Sequence, residues 1–221
     1  MTRFFVILLL LASGPFALAR NDSINNYKVE SIGALTDANV PEAVRNALES
    51  KGLRVLDDKS KPVCEIWFSK NIPGNKVEVS GASFGKLGEG TFVGVINFPA
   101  NAGDFRGQGI KAGFYTLRYG LILQDGNHLG VSPARDFLLA CPVAEDKNPA
   151  NQLNSEELIK LSRIAAGTGH PSVWSMVPAT SNDGLPRAIT NEHEHVILEA
   201  KIPTKAGDMA VGLIVVGKTE G

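Results

Sequence analysis

The sequence predicts a mainly β protein: β-sandwich-like antiparallel sheets carrying two peripheral α-helices. Three observations lead there. Short β-branched and aromatic runs recur along the whole chain, separated by Gly, Pro, Asn and Asp turns. Only two stretches keep a helical period. Strands do not alternate with helices, which disfavours a doubly wound parallel sheet.

The chain opens with the three parts of an export signal. Arg3 supplies a short positive region, Phe4 to Ala12 is unbroken apolar sequence, and Gly14-Pro15 breaks the helix. Ala17 and Ala19 then stand at the −3 and −1 positions of a cut before Arg20. A spanning helix needs about 20 apolar residues. This run is roughly half that, so residues 1–19 are expected to be a cleaved signal peptide. Residues 20–221 are then one β-rich globular domain, periplasmic or secreted.

After a polar start, Tyr27 to Ile32 reads as a first strand. Residues 39–51 read as a helix, with Pro41 in its first turn, Val40, Val44 and Leu48 on one stripe, and Gly52 placed as its C-cap. Leu53 to Leu56 and Val63 to Phe68 follow as strands. Val77 to Phe84 alternates weakly, Thr91 to Phe98 is rich in β-branched and aromatic residues, and Phe105 to Ile110 reads as an edge strand. Phe114 to Leu123 alternates cleanly, with Tyr115, Leu117, Tyr119, Leu121 and Leu123 on one face and Thr116, Arg118 and Gly120 on the other. Asp136 to Val143 is a further strand. Asn154 with Glu157 forms a capping-box pattern for a second helix ending at Gly167. Val173 to Val177, His195 to Ile202 and Met209 to Val216 close the chain. The last is apolar on both faces, as a strand in the middle of a sheet is.

Charge excludes some classes of function. Lys and Arg total 22 against 23 for Asp and Glu, with no basic stripe for nucleic acid and no basic amphipathic helix for a membrane surface. No nucleic-acid partner is expected, and no stable membrane insertion once the leader is gone. The two cysteines, Cys64 and Cys141, both sit in apolar strand-like runs. In an oxidising compartment they could pair, closing a loop of about 77 residues worth about 4 kcal/mol on a chain-entropy estimate. The alternative is two separate buried thiols acting as small hydrophobes.

Among motifs that carry chemistry, the histidines stand out. His193 and His195 lie two apart at the start of a strand, so both project from one face, with Glu199 further along it. Imidazoles plus a carboxylate are sound ligands for a divalent transition metal, and His128 or His170 could complete the set. The bland alternative is a solvated polar face beside Glu192 and Glu194. The spacing is similar to the first metal motif of the cupins, but Arg187 stands where that motif carries glycine and no second motif follows Glu199. A cupin centre is therefore not expected.

No nucleophile elbow is present, and Ser132 beside Pro133 has no activating context. The glycines at 85, 88 and 90 precede a strand and lack the terminal Lys-Ser/Thr of a phosphate loop. A carboxylate pair for glycoside cleavage has no local spelling, so the enzyme question stays open, leaning against. Trp67, Trp174, Tyr115 and Tyr119 would suit a sugar-stacking platform if exposed, although Tyr115 and Tyr119 fall on an apolar face. Arg118 and Arg135-Asp136 are the better candidates for surface recognition, an ion pair within Arg135-Asp136 being the structural alternative.

Taken together, KPVCEIWF, GIKAGFYTLRYGLILQDGNHLGVSPARDFLLACP, GTGHPSV and GLIVVGK resemble an uncharacterised family of secreted bacterial proteins. The resemblance implies export and a bacterial source, and brings no activity. Two expectations follow. The first is a non-catalytic periplasmic or secreted binding or interaction module without a cofactor, whose partner is a small molecule, glycan or protein. The second is a metal-binding protein or metal-dependent enzyme using His193, His195 and Glu199 or His128.

Overall fold

A computed structural model describes residues 26–74, 79–104, 107–122 and 134–217. The expected leader, His128, Ser132 and Leu123 lie outside the described residues.

The fold is mainly β, as expected. Ten strands form one antiparallel sheet: β1 (Lys28–Ile32), β2 (Gly52–Leu56), β3 (Pro62–Phe68), β4 (Phe92–Phe98), β7 (Gly113–Leu121), β8 (Asp136–Pro142), β9 (Val173–Pro178), β10 (Arg187–Thr190), β11 (Val196–Thr204) and β12 (Gly207–Val216). A small hairpin of β5 (Ala102–Gly103) and β6 (Gly109–Ile110) stands apart. The strand order is β1-β2-β3-β4-β7-β8-β9-β12-β11-β10, and the two edge strands approach one another, so the sheet is nearly closed into a barrel. The two layers of the expected sandwich are the two halves of this one curled sheet. Register shifts at Val55/Leu56, Phe92/Gly94 and Val196/Ile197 mark bulges, which add the local twist that curling needs.

Apolar side chains of alternate residues fill the interior. Ile66, Ile96, Leu117, Leu138, Trp174, Leu198 and Leu213 belong to one buried cluster. Phe98 of β4 and Trp174 of β9 stack with ring centroids 4.9 Å apart although their strands are not neighbours, so the rings meet across the barrel. On β7 the alternation holds: Tyr115, Leu117 and Tyr119 are in this core. On β4 it breaks. Val93 and Ile96 point inward while Phe92 and Val95 join an outer cluster, a change of parity at the bulge between Phe92 and Gly94. The bulge thereby puts the Phe92 ring on the outside of the barrel.

Two helices cover outer patches of the sheet. Val40, Val44 and Leu48 pack with Trp67 and Phe92 in the outer cluster around α1 (Glu42–Asn46). That helix is shorter than the expected 39–51, because the backbone after it is claimed by strand-like pairing. Leu48 bridges Ser69, the Glu49 amide donates to Phe68 O, and the Lys70 amide donates to Ala47 O. Gly52 is not a C-cap; it lies in β2 flat against the Trp67 indole. The second helix, α2 (Ser155–Ala166), matches its expectation. Asn154 Oδ1 accepts from the Glu157 amide, Glu157 returns the bond, and Gly167 ends the helix at φ 65°. Its Leu158 packs on Leu139 and Cys141.

Other expectations changed. The described part of the Val77–Phe84 run is turn, followed by a 3-10 turn at Gly85–Leu87, because Asp136 captures the Ser83 and Phe84 amides and leaves them no strand partner. The described part of the Phe105–Ile110 run contributes only the short β6. β10 had no apolar run to announce it and forms by pairing with β11. Among the described residues no helix is long and apolar enough to cross a membrane.

Candidate functional site

The histidine pair survives as a local feature. Asn191 Oδ1 accepts from the His193 and His195 amides at 3.1 and 2.9 Å, and Glu194 turns the chain at φ 60°. The two rings are left with centroids 5.8 Å apart. His193 is exposed with Glu192 Oε1 3.6 Å from its Nε2, while His195 is buried. Glu199 does not join them. It is 1% exposed on the outer side of β11, and its carboxylate accepts from Arg187 Nε at 2.7 Å and from the Thr180 amide at 2.6 Å. Those bonds tie the 178–187 segment to the sheet, which commits Glu199 to structure. His170 lies in the turn after α2, where its amide is bonded to Thr168. Among the described residues, no three His, Cys, Asp or Glu side chains gather where they could hold a metal ion.

The cysteines are two free thiols and not a disulfide. Cys64 on β3 points into the barrel core, and Cys141 on β8 points outward under α2. Two strands separate β3 from β8, so opposite faces and intervening sheet keep the sulfurs apart. Burial pushes the Cys64 thiol up to about 12, with the Glu65 charge adding to it. Burial also raises Cys141. Neither supplies a reactive thiolate.

Nor is there an aromatic platform on these residues. Trp67, Trp174, Tyr115 and Tyr119 are all buried. Arg118 and Asp136, expected at the surface, are buried too. The outward face of β7 is covered by the 143–153 segment, and Arg118 is what holds it. All five guanidinium N–H groups are used: Nε and Nη2 donate to Asp146 at 2.7 Å each, Nη1 to Gly90 O and Asn151 O, and Nη2 also to Asn148 O. Thr116 Oγ1 donates to the same Asp146 carboxylate at 2.6 Å. Asp136 faces the core end instead, accepting from Tyr119 Oη and from the Ser83 and Phe84 amides. Arg135 reaches Ile122 O and Ser80 O. The two members of Arg135-Asp136 thus serve different neighbours.

What Arg118 holds in place is one wall of a cleft of about 320 Å³. Five chain segments converge on it: Ala47 after α1, Ser69–Pro73 after β3, Thr91-Phe92 at the start of β4, Pro149–Gln152, and Lys205 in the β11–β12 turn. Phe92 contributes apolar floor, with the Arg118 guanidinium 5.7 Å from its ring centroid. Lys70 and Lys205 are exposed, and neither is ion-paired with a described residue. Among the described residues that line it, none is acidic. Lys70 and Lys205 meet here because the chain around Ile72 joins the end of β11: the Ile72 amide donates to Pro203 O at 3.4 Å, and the Lys205 amide to Ile72 O at 3.1 Å. A second cleft of about 280 Å³ lies between the end of α2 and the start of β7, beside the exposed Ile164 and Lys111.

Sequence reading missed this cleft entirely. Its residues have no common spacing, and its two lysines are 135 positions apart (205 − 70). The only hint was Arg118 on the polar side of an otherwise apolar strand, a charge that a sheet buries only when a partner is waiting. No protein-family model, curated protein or solved structure matches the chain.

Proposed function

We propose that this protein is an exported, non-catalytic binding module, and that the cleft beside Phe92 is where it binds. The observation that carries the reading is the division of labour among its polar groups. Among the described residues, the buried charges Arg118, Asp146, Asp136, Asp104 and Glu199 all spend their hydrogen-bonding capacity on the chain itself. Among the described residues, no buried side-chain nitrogen or oxygen lacks a partner. A catalytic acid or base needs a polar atom poised toward substrate, and these are bonded to other side chains and backbone groups of the protein. The cleft gathers surface side chains from five chain segments, and one of its walls is fixed by a saturated Arg118. At about 320 Å³ it sits at the small end of ligand pockets, which run from about 300 to 1,000 Å³. Export is supported by Arg3, the apolar Phe4–Ala12 run and the small residues before Arg20.

The test has two arms. Protein expressed with its own leader is recovered from outside the cytoplasm with Arg20 at its N-terminus. Backbone-amide NMR with a mixed set of neutral, cationic and anionic small molecules then shows shifts confined to residues 69–73 and 149–152. Steady turnover of a p-nitrophenyl ester, glycoside or phosphate by the purified protein would defeat the non-catalytic reading.

A second reading is metal binding at His193 and His195, favoured by the 5.8 Å approach of their rings. Two imidazoles on one turn chelate a divalent transition metal with water completing the shell. Elemental analysis and a nickel or copper titration decide it: metal lost in His193→Ala supports the reading, and an unchanged melting temperature on adding either metal removes it.

A further inference from the structure

We infer that the cleft takes a small organic anion, a carboxylate or phosphate ester carrying an apolar or aromatic body. The inference rests on the binding-module reading above and adds the ligand's chemistry.

Charge is the first argument. Lys70 and Lys205 come from opposite halves of the chain and are delivered to one cleft by the backbone pairing of Ile72 with the end of β11. With two lysines and no acidic residue among the described residues that line it, the cleft carries a positive potential, which its low-dielectric walls focus. The pairing itself uses only backbone groups and dictates no side chain at either position. An anionic group on a ligand meets that potential and has lysine ammonium donors on the lining for charge-assisted hydrogen bonds.

The walls supply the second argument. Phe92 faces outward only because of the bulge at Phe92/Gly94, and with Ala47, Pro73 and Pro149 it gives the cleft an apolar floor. The Arg118 guanidinium near the Phe92 ring is already neutralised by Asp146, so it adds no competing anion site. A bare inorganic ion would leave this floor wet, whereas an organic body covers it. The Arg118 bonds to Asn148 O and Asn151 O fix the opposite wall before any ligand arrives, which lowers the ordering cost of binding.

The experiment uses the purified protein and three probes: phenyl phosphate, inorganic phosphate and benzyl alcohol, each followed by calorimetry and amide NMR at matched ionic strength. Phenyl phosphate is expected to half-saturate at about 1 mM, the range open to a ligand of its size, and to bind more tightly than either of the others. Benzoate in place of phenyl phosphate tells a carboxylate preference from a phosphate one. Lys70→Ala and Lys205→Ala each weaken phenyl phosphate about tenfold, and the double variant removes saturable binding. Lys111→Ala, beside the second cleft, leaves it unchanged. Both lysines are exposed, so the variants keep the parent melting temperature. Phenyl phosphate binding that survives in the double variant overturns the inference. Benzyl alcohol shifting residues 69–73 and 149–152 as strongly as phenyl phosphate overturns the anion while leaving the cleft as a binding site. No saturable shift there with any probe overturns both.

Discussion

Replacing Arg118 by methionine is the most demanding test of how this barrel holds its cleft. Methionine keeps an apolar stem but deletes five hydrogen bonds, two to Asp146 and one each to Gly90 O, Asn148 O and Asn151 O. Asp146 is left 3% exposed with the Thr116 hydroxyl as its remaining side-chain partner. Removing one member of a buried pair costs about 3–5 kcal/mol, because the other charge stays buried. The bonds to Asn148 and Asn151 are only part-buried, so water can replace them, but Gly90 O sits in a buried bond. Orphaning it adds about 1–3 kcal/mol. A loss of at least about 4 kcal/mol is expected, a large share of the roughly 5–15 kcal/mol that holds a domain together. The double variant Arg118→Met/Asp146→Leu removes the stranded charge and keeps only the carbonyl penalty, so it recovers about 3–5 kcal/mol. Urea denaturation with a constant m-value reads both numbers. If Arg118→Met lies within about 1 kcal/mol of the parent, or the double variant is no more stable than the single one, Arg118 is not the anchor described here.

Four further outcomes follow from single features. Gly52→Ala places a Cβ 2.4 Å from Trp67 Nε1, whose N–H is held by Gly33 O at 2.8 Å, so the indole cannot yield; a loss of about 1–3 kcal/mol is expected in thermal melts, with Gly33→Ala, which meets nothing within 4 Å, as the neutral control. Both thiols stay silent to Ellman's reagent in the native state and two appear in denaturant, and no detected thiol in denaturant would restore a disulfide. The Cys64 thiol, raised by burial from 9.0 to about 12, is protonated in the fold where the unfolded chain has lost its proton. Its stabilising contribution is therefore complete below pH 9 and declines by about 1.4 kcal/mol per unit as pH climbs toward 12. Cys64→Ala, though less stable overall, should show a flatter fall over that window, and an identical slope contradicts the assignment. Asn154→Ala removes the acceptor of the Glu157 amide and costs about 1 kcal/mol, whereas Asn154→Asp retains the cap and most of the stability.

Local physics made part of this molecule legible in its sequence. The capping box of α2, its glycine stop, and the alternation of β7 each depend on residues within one turn or one strand, and each came out as expected. The class of fold was readable for the same reason, since recurrent strand-length runs and scarce helical periods are local patterns. The near-closure of the barrel, the bulge that turns Phe92 outward, and the truncation of α1 by pairing with the end of β3 are set by partners distant in the chain. The same holds for Glu199, which looked like a ligand beside two histidines until Arg187 and Thr180 claimed it, and for Arg118, which looked exposed until Asp146 was folded over it. A side chain's type announces what it can bond to. Which groups lie within about 3 Å of it is decided by the packing of the whole sheet. That packing alone brings Lys70 and Lys205 to one cleft.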